Sequence, residues 1–271
     1  RVLCVQGRAL VQDRRLGRPA LYMASYGTER GMLIVLDHRN GVADEYEFPE
    51  GLTAWSLLQG RDARVYIAGY GTGRLLGFDT LNRRFAPLAV AWDPVPGRES
   101  VLCDLTEASD GAIYLGTYPD CRLLRFLPGE DRIESVARLA EDEMYLRWVE
   151  SLPDGRMACL VGCHRSRLLL VDPGTGATEC LTPGWLQGPS NWGQPYRVGD
   201  HLVYTVRDPR TGSRALAVYD WSAGSFIECL PWEDANDPVV LGTGPTGGLL
   251  LGVRGGAVEE WLLPGGARQA V

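Results

Sequence analysis

The sequence contains no lysine, so all 27 of its basic side chains are arginine. That excludes any mechanism built on a lysine Schiff base. Histidine is scarce too, with only His38, His164 and His201, so few side chains can carry a proton near neutrality. No apolar run approaches the ~20 residues that a membrane-spanning helix requires, and no membrane partner is expected. The 27 arginines are outnumbered by 34 acidic residues, giving a net charge of −7. They are scattered rather than gathered into a patch. Such a balance repels phosphate backbones, and no nucleic-acid partner is expected.

The chain opens at Arg1 without a methionine or a signal-like segment, in keeping with an excised domain. Seven cysteines form an odd set, at 4, 103, 121, 159, 163, 180 and 229. Most fall on expected strands, where a thiol behaves as a small hydrophobe. Reduced thiols and a cytoplasmic location are the reading this favours.

What the sequence does contain is a repeat. Asp110 to Leu139 reads as three short strands, Ile113 to Tyr118, Arg122 to Leu127 and Ile133 to Ala137. Pro119-Asp120 and Pro128-Gly129-Glu130-Asp131 make the turns between them. The middle of this text recurs: Leu21 to Gly27 and Val65 to Gly71 match Ile113 to Pro119, with fainter copies from Met157, Leu202 and Leu249. The copies start 44 to 48 residues apart. An all-strand period of that length indicates propeller blades, each too thin to bury both faces alone.

The expectation is therefore one all-β domain over residues 1–271, a β-propeller of six blades with four antiparallel strands each, or seven if the chain is a fragment. Of two apolar runs near the start, Val2 to Val5 and Ala9 to Val11, one is expected as the innermost strand of blade one. The other is expected to close the ring by pairing with the last blade. An aspartate recurs at the end of the third strand, at 37, 79, 172 and 220, where it can cap the following turn.

Ligands of propellers sit where loops from several blades converge. Sorting by position in the repeat places Trp55, Arg147, Trp148, Asn191, Trp192 and Asp237 at entries to innermost strands. Tyr26, Tyr70 and Tyr118 fall where the second strand ends. Rings beside amides and carboxylates suit a sugar or another small polar ligand, because rings stack on apolar faces while polar groups meet hydroxyls. The alternative for each tryptophan is simple filling between blades. The insert Gly184 to Tyr196 is expected to border the same mouth. Glu99, Asn191 and Asp237 are oxygen donors for a hard cation, with Asp234 and Asn236 beside them. His164, next to Cys163 and near the repeat position of Cys121, is the candidate proton carrier.

The blade text DGAIYLGTYPDCRLLRF from Asp110 and the later RLLLVDPGTG from Arg167 resemble the propeller group that contains NHL-type repeats, SMP-30/gluconolactonase proteins and streptogramin lyases. The SMP-30 resemblance implies a divalent cation held by Glu, Asn and Asp, for which Asn191 and Asp237 are suitably placed. The lyase resemblance implies paired histidines and glutamates in late blades. Two functions follow as expectations. One is recognition of a small polar or carbohydrate-like ligand, or of a protein partner. The other is metal-assisted lyase or hydrolase chemistry.

Overall fold

The structure is a computed structural model that describes residues 4–26, 30–91, 101–188, 195–208, 210–231, 239–243, 246, 248–252, 258–262 and 267–270. Its strands, three to ten residues long, are joined by tight hairpins because the sequence breaks the apolar runs with Asp, Gly or Pro. Six four-stranded sheets result, each a simple antiparallel meander in which neighbours in sequence pair in space.

The first sheet contains β1 (Cys4–Asp13), β2 (Arg18–Tyr26), β3 (Met32–Asp37) and β4 (Val42–Glu47). The second contains β5 (Thr53–Gln59), β6 (Arg64–Tyr70), β7 (Arg74–Asp79) and β8 (Arg84–Val90). The third contains β9 (Val101–Glu107), β10 (Ile113–Tyr118), β11 (Arg122–Leu127) and β12 (Arg132–Arg138). The fourth contains β13 (Leu146–Ser151), β14 (Met157–Val161), β15 (Arg167–Val171) and β16 (Thr178–Cys180). The fifth is β17 (Tyr196–Val198), β18 (His201–Arg207), β19 (Arg214–Asp220) and β20 (Ser225–Pro231). The sixth is β21 (Val239–Thr243), β22 (Leu249–Gly252), β23 (Val258–Leu262) and β24 (Ala267–Ala270). Among the described residues the only helices are two three-residue 3-10 turns, Pro49–Gly51 and Gly184–Leu186, and no helix is long and apolar enough to cross a membrane.

One expectation is corrected. Val5 and Ala9 to Val11 belong to a single ten-residue strand, β1, which pairs throughout with β2. The outermost strand of the sixth sheet is its own β24. The apparent break between the two runs is Gln6-Gly7-Arg8, and Gln6 is the extra residue of a bulge, so polarity there marks an irregularity within a strand rather than its end.

The expected aspartate caps are present. Asp37 Oδ1 accepts the Arg39 N–H at 3.2 Å, and Asp79 Oδ1 accepts the Leu81 N–H at 2.8 Å. Asp172 and Asp220 do the same for Gly174 and Ser222. All four carboxyls lie below the ordinary carboxylate range, the leading cause being the Arg18 guanidinium at Asp37, the Asn82 side-chain amide at Asp79, the Gly174 N–H at Asp172 and the Ala223 N–H at Asp220.

The described residues form two compact units, residues 1–163 with 169–179, and residues 164–168 with 180–271. In the first, adjacent sheets pack face to face. Val11, Leu33, Val35, Val65 and Ile67 fill the space between sheets one and two. Tyr66, Leu102, Leu115, Leu124 and Phe126 fill that between two and three, and Tyr114, Leu123, Val149, Met157 and Leu169 that between three and four. Strands covered on both faces read as continuous apolar runs, as in Ile113 to Leu115, whereas outermost β4 and β16 are polar and exposed. In the second unit, β18 and β19 bury Leu202, Val203, Leu216 and Val218. The buried Glu260 carboxylate accepts the backbone N–H groups of Thr246 and Gly248, each at 3.0 Å.

Candidate functional site

An extra residue interrupts the pairing of an innermost strand with its neighbour in five of the six sheets. The register skips Gln6 in β1, Trp55 in β5, Cys103 in β9, Arg147 in β13 and Leu241 in β21. A bulge leaves one residue out of the ladder and re-aims its side chain. Blades two, three and four thus carry Trp55, Cys103 and Arg147 at one shared structural position. The ends of the second strands lie across from the same stretch, with Tyr70 paired to Thr53 and Tyr118 to Val101.

These positions build one aromatic cluster inside the first unit. The rings of Trp55 and Tyr70 meet edge to face at 5.2 Å, and Trp55 meets Tyr145 in the same manner at 6.4 Å. Tyr145 stacks on Tyr118 at 4.2 Å. The Arg147 guanidinium lies 5.1 Å from the centre of the Tyr145 ring. All four rings are only half-buried, and Arg147 is exposed.

Gly162 holds the centre of the cluster. Its N–H donates to the Tyr145 carbonyl at 3.0 Å, and its own carbonyl accepts Arg147 Nε, also at 3.0 Å. Ring and guanidinium are thereby fixed to one peptide. Burial raises the Tyr145 phenol above its ordinary pKa, with neighbouring Tyr118 next in effect, so it stays protonated and can donate a hydrogen bond.

One residue beyond the bulges, Ser56 and Asp104 take equivalent places on β5 and β9. Asp104 accepts the Ser56 hydroxyl at 2.8 Å and the Val149 N–H of β13 at 3.1 Å, joining three innermost strands. It keeps some accessible surface yet lies deep in the protein. Desolvation pushes its carboxyl up to about 7, against the lowering effect of its hydrogen bonds, with Glu150 adding a further upward push.

Of the residues expected at the site, Trp55, Tyr70, Tyr118 and Arg147 come together. Trp148 is buried, 5% exposed. Tyr26 ends β2, with its backbone paired to Cys4, and its side chain lies outside the described residues. Asn191, Trp192, Asp237 and Glu99 also lie outside the described residues, as do Asp234 and Asn236. His164 is exposed and Cys163 half-buried. Cys121, at nearly the same repeat position as His164 and Cys163, is fully buried in the core between sheets three and four. It lies there beside Cys159, whose thiol burial pushes well above its usual range. Among the described residues no three or more His, Cys, Asp or Glu side chains gather where they could hold a metal ion.

Tyr145, Asp104 and Ser56 were not foreseen. Tyr145 precedes β13 in a polar loop, and the matching residues of blades two and three, Thr53 and Val101, give no aromatic repeat to reveal it. A separate groove of about 290 Å³ is lined by Arg74, Leu88, Val90 and Asp131, among others, but by none of the aromatic residues.

No family model and no curated protein matches the chain by sequence. Solved structures do match it by fold. Virginiamycin B lyase from Staphylococcus aureus superposes with a TM-score of 0.72 at 13% identity, over 98% of this chain and 83% of that one. The fold is a six-bladed β-propeller. A protein assigned to the gluconolactonase family matches with a TM-score of 0.59 at 15% identity, over 92% of this chain and 85% of that one. A chain of the nidogen/laminin complex matches at 0.58 and 10%, over 84% and 80%. The lyase and the gluconolactonase are of the kinds that the blade pattern resembles, and at such identities the likeness is one of fold.

Proposed function

We propose that this propeller binds a small polar ligand bearing a ring or other flat apolar face, carbohydrate-like in character, on the cluster of Trp55, Tyr70, Tyr118 and Tyr145 with Arg147. The observation that carries this reading is the cluster itself: four half-buried rings from three consecutive blades in mutual contact. The rings of Trp148 and Phe126, by contrast, are covered. A sugar ring offers the C–H face that such rings stack upon, while the phenols and guanidinium meet its hydroxyls.

Thermal-shift and calorimetric titration against a panel of mono- and disaccharides tests this. Binding should disappear in the Trp55→Ala/Tyr145→Ala double variant, and binding that survives there would move the site elsewhere. A protein partner on the same face is the outcome if sugars fail and the double variant instead abolishes a protein complex, as propeller domains also serve in protein assemblies such as that of nidogen with laminin.

Metal-assisted lyase or hydrolase chemistry is a second reading, favoured by the fold likeness to virginiamycin B lyase over nearly the whole chain. It rests on Glu99, Asn191 and Asp237 as cation ligands and on His164 as proton carrier. Elemental analysis after exhaustive dialysis separates the two readings. A stoichiometric divalent metal supports the enzyme, and its loss on replacing Asp237 by alanine would assign the ligand.

A further inference from the structure

We infer that the ligand of this site carries an anionic group, a carboxylate in the first instance, beside its flat face, and that Arg147 selects for it; this rests on the aromatic cluster being the binding site. The inference comes from how Arg147 is held. An exposed arginine usually sweeps through many rotamers, but here Nε is committed to the Gly162 carbonyl at 3.0 Å and the guanidinium plane is set against Tyr145. Among the described residues no hydrogen bond engages either terminal nitrogen. Among the described residues no carboxylate pairs with Arg147, although most other ordered arginines of this acid-rich chain do pair, among them Arg18, Arg74, Arg83, Arg125 and Arg132. Asp120, on the turn after Tyr118, is buried and lies 4.0 Å from Arg122 Nε.

A guanidinium immobilised through Nε presents its two Nη groups side by side, the geometry that meets both oxygens of a carboxylate. The ordering entropy is already spent before a ligand arrives, so the bond it forms is stronger than one from a freely moving arginine. The phenols sharpen the choice. Among the described residues the Tyr118 and Tyr145 hydroxyls have no protein hydrogen-bond partner, and the protonated Tyr145 can donate to the same anion. Charge-assisted donors with a stacking floor beneath them suit a ring-bearing acid, either a sugar acid or an aromatic acid. A neutral sugar leaves the guanidinium without its matching partner.

Isothermal titration with glucuronate, galacturonate and 4-hydroxybenzoate, against glucose and 4-hydroxybenzyl alcohol as neutral counterparts, tests this on the full chain. Wild type should bind at least one acid roughly tenfold or more tightly than its neutral counterpart, and added salt should narrow the margin. The acid that binds also tells sugar acid from aromatic acid. Arg147→Gln should remove the margin, lowering the acid's affinity by a larger factor than the neutral counterpart's, and Arg147→Lys should restore only part of it. Equal affinity for acid and neutral, an unchanged margin in Arg147→Gln, or no binding of any acid at millimolar concentration would overturn the inference. Neutral binding lost in Trp55→Ala with no acid preference would refute the charge selection alone. Binding unaffected by Trp55→Ala would refute the site itself. Arg147→Gln is judged only where its thermal unfolding matches wild type, and Gly162→Ala, which disturbs the carbonyl that Nε holds, should reduce the margin without removing the charge.

Discussion

Replacing Asp104 by asparagine should change how the protein's stability depends on pH. In the unfolded chain this carboxyl titrates near 3.8, and in the folded protein at about 7. Between those values the folded state holds a proton that the unfolded state has released, so stability falls as pH rises through the window and is level on either side of it. About three pH units at 1.36 kcal/mol each give a loss on the order of 4 kcal/mol from acid to neutral pH. Asparagine cannot ionise. Its Oδ1 can still accept the Val149 N–H, and its Nδ2 can donate to Ser56, whose hydroxyl turns from donor to acceptor. Urea denaturation of both proteins from pH 4.5 to 8.5 isolates the effect, because the other carboxyls are common to both and the capping aspartates titrate below the window. The variant should be close to wild type at pH 4.5 and more stable by several kcal/mol at pH 8.5. A stability difference that stays constant across this range would show that Asp104 is solvated in the folded state and would refute the desolvation argument.

Two further expectations concern the packing between blades. Arg83, 4% exposed, pairs at 2.7 Å with the fully buried Asp13, which also accepts the Tyr22 hydroxyl at 2.8 Å; Arg83→Met should cost about 3 kcal/mol, the low end for removing one partner of a buried pair, because Asp13 keeps its other donors, and a loss below about 1 kcal/mol in urea denaturation would mean the pair is hydrated. A Cβ on Gly116 would lie 2.4 Å from the Leu146 carbonyl of the next blade, so Gly116→Ala should destabilise by about 1–3 kcal/mol and weaken ligand binding by parting Tyr118 from Tyr145; Gly129→Ala, which meets nothing within 4 Å, is the control and should be near neutral in the same melts.

The fold was legible because its signals are local. Asp-x-x-Asn-Gly at residues 37–41 encodes its own hairpin through side-chain bonds to the next turn, and the unbroken apolar text of β10 encodes burial on both faces. Errors arose where the repeat departs from itself. Gln6-Gly7-Arg8 looked like a strand break because a bulge puts a polar residue out of register within a continuous strand. Such bulges also explain how much of the site was legible. Trp55 and Arg147 stood out by residue type, but that they occupy one structural position could not be seen, since their sequence separation matches the blade period only once Cys103, chemically unlike either, is aligned between them.

The same departure accounts for the division of labour within each innermost strand. The residue left out of the ladder owes nothing to sheet pairing, so it can be tryptophan, cysteine or arginine without disturbing its blade. The residue after it is fully in register and packs between neighbours, where Ser56 and Asp104 tie three strands through hydrogen bonds. Variation needed for recognition is thus confined to positions whose change costs the fold little, while the positions one step further carry the bonds that hold the blades in place. The unequal consequences expected of Trp55→Ala and Gly116→Ala follow from that placement. The first should empty the site and leave the melting curve almost unmoved, whereas the second should lower both affinity and stability together. A Trp55→Ala protein that unfolds as readily as Gly116→Ala would show that the aromatic cluster is core after all, and the ligand site would then have to be sought on residues that no inner strand provides.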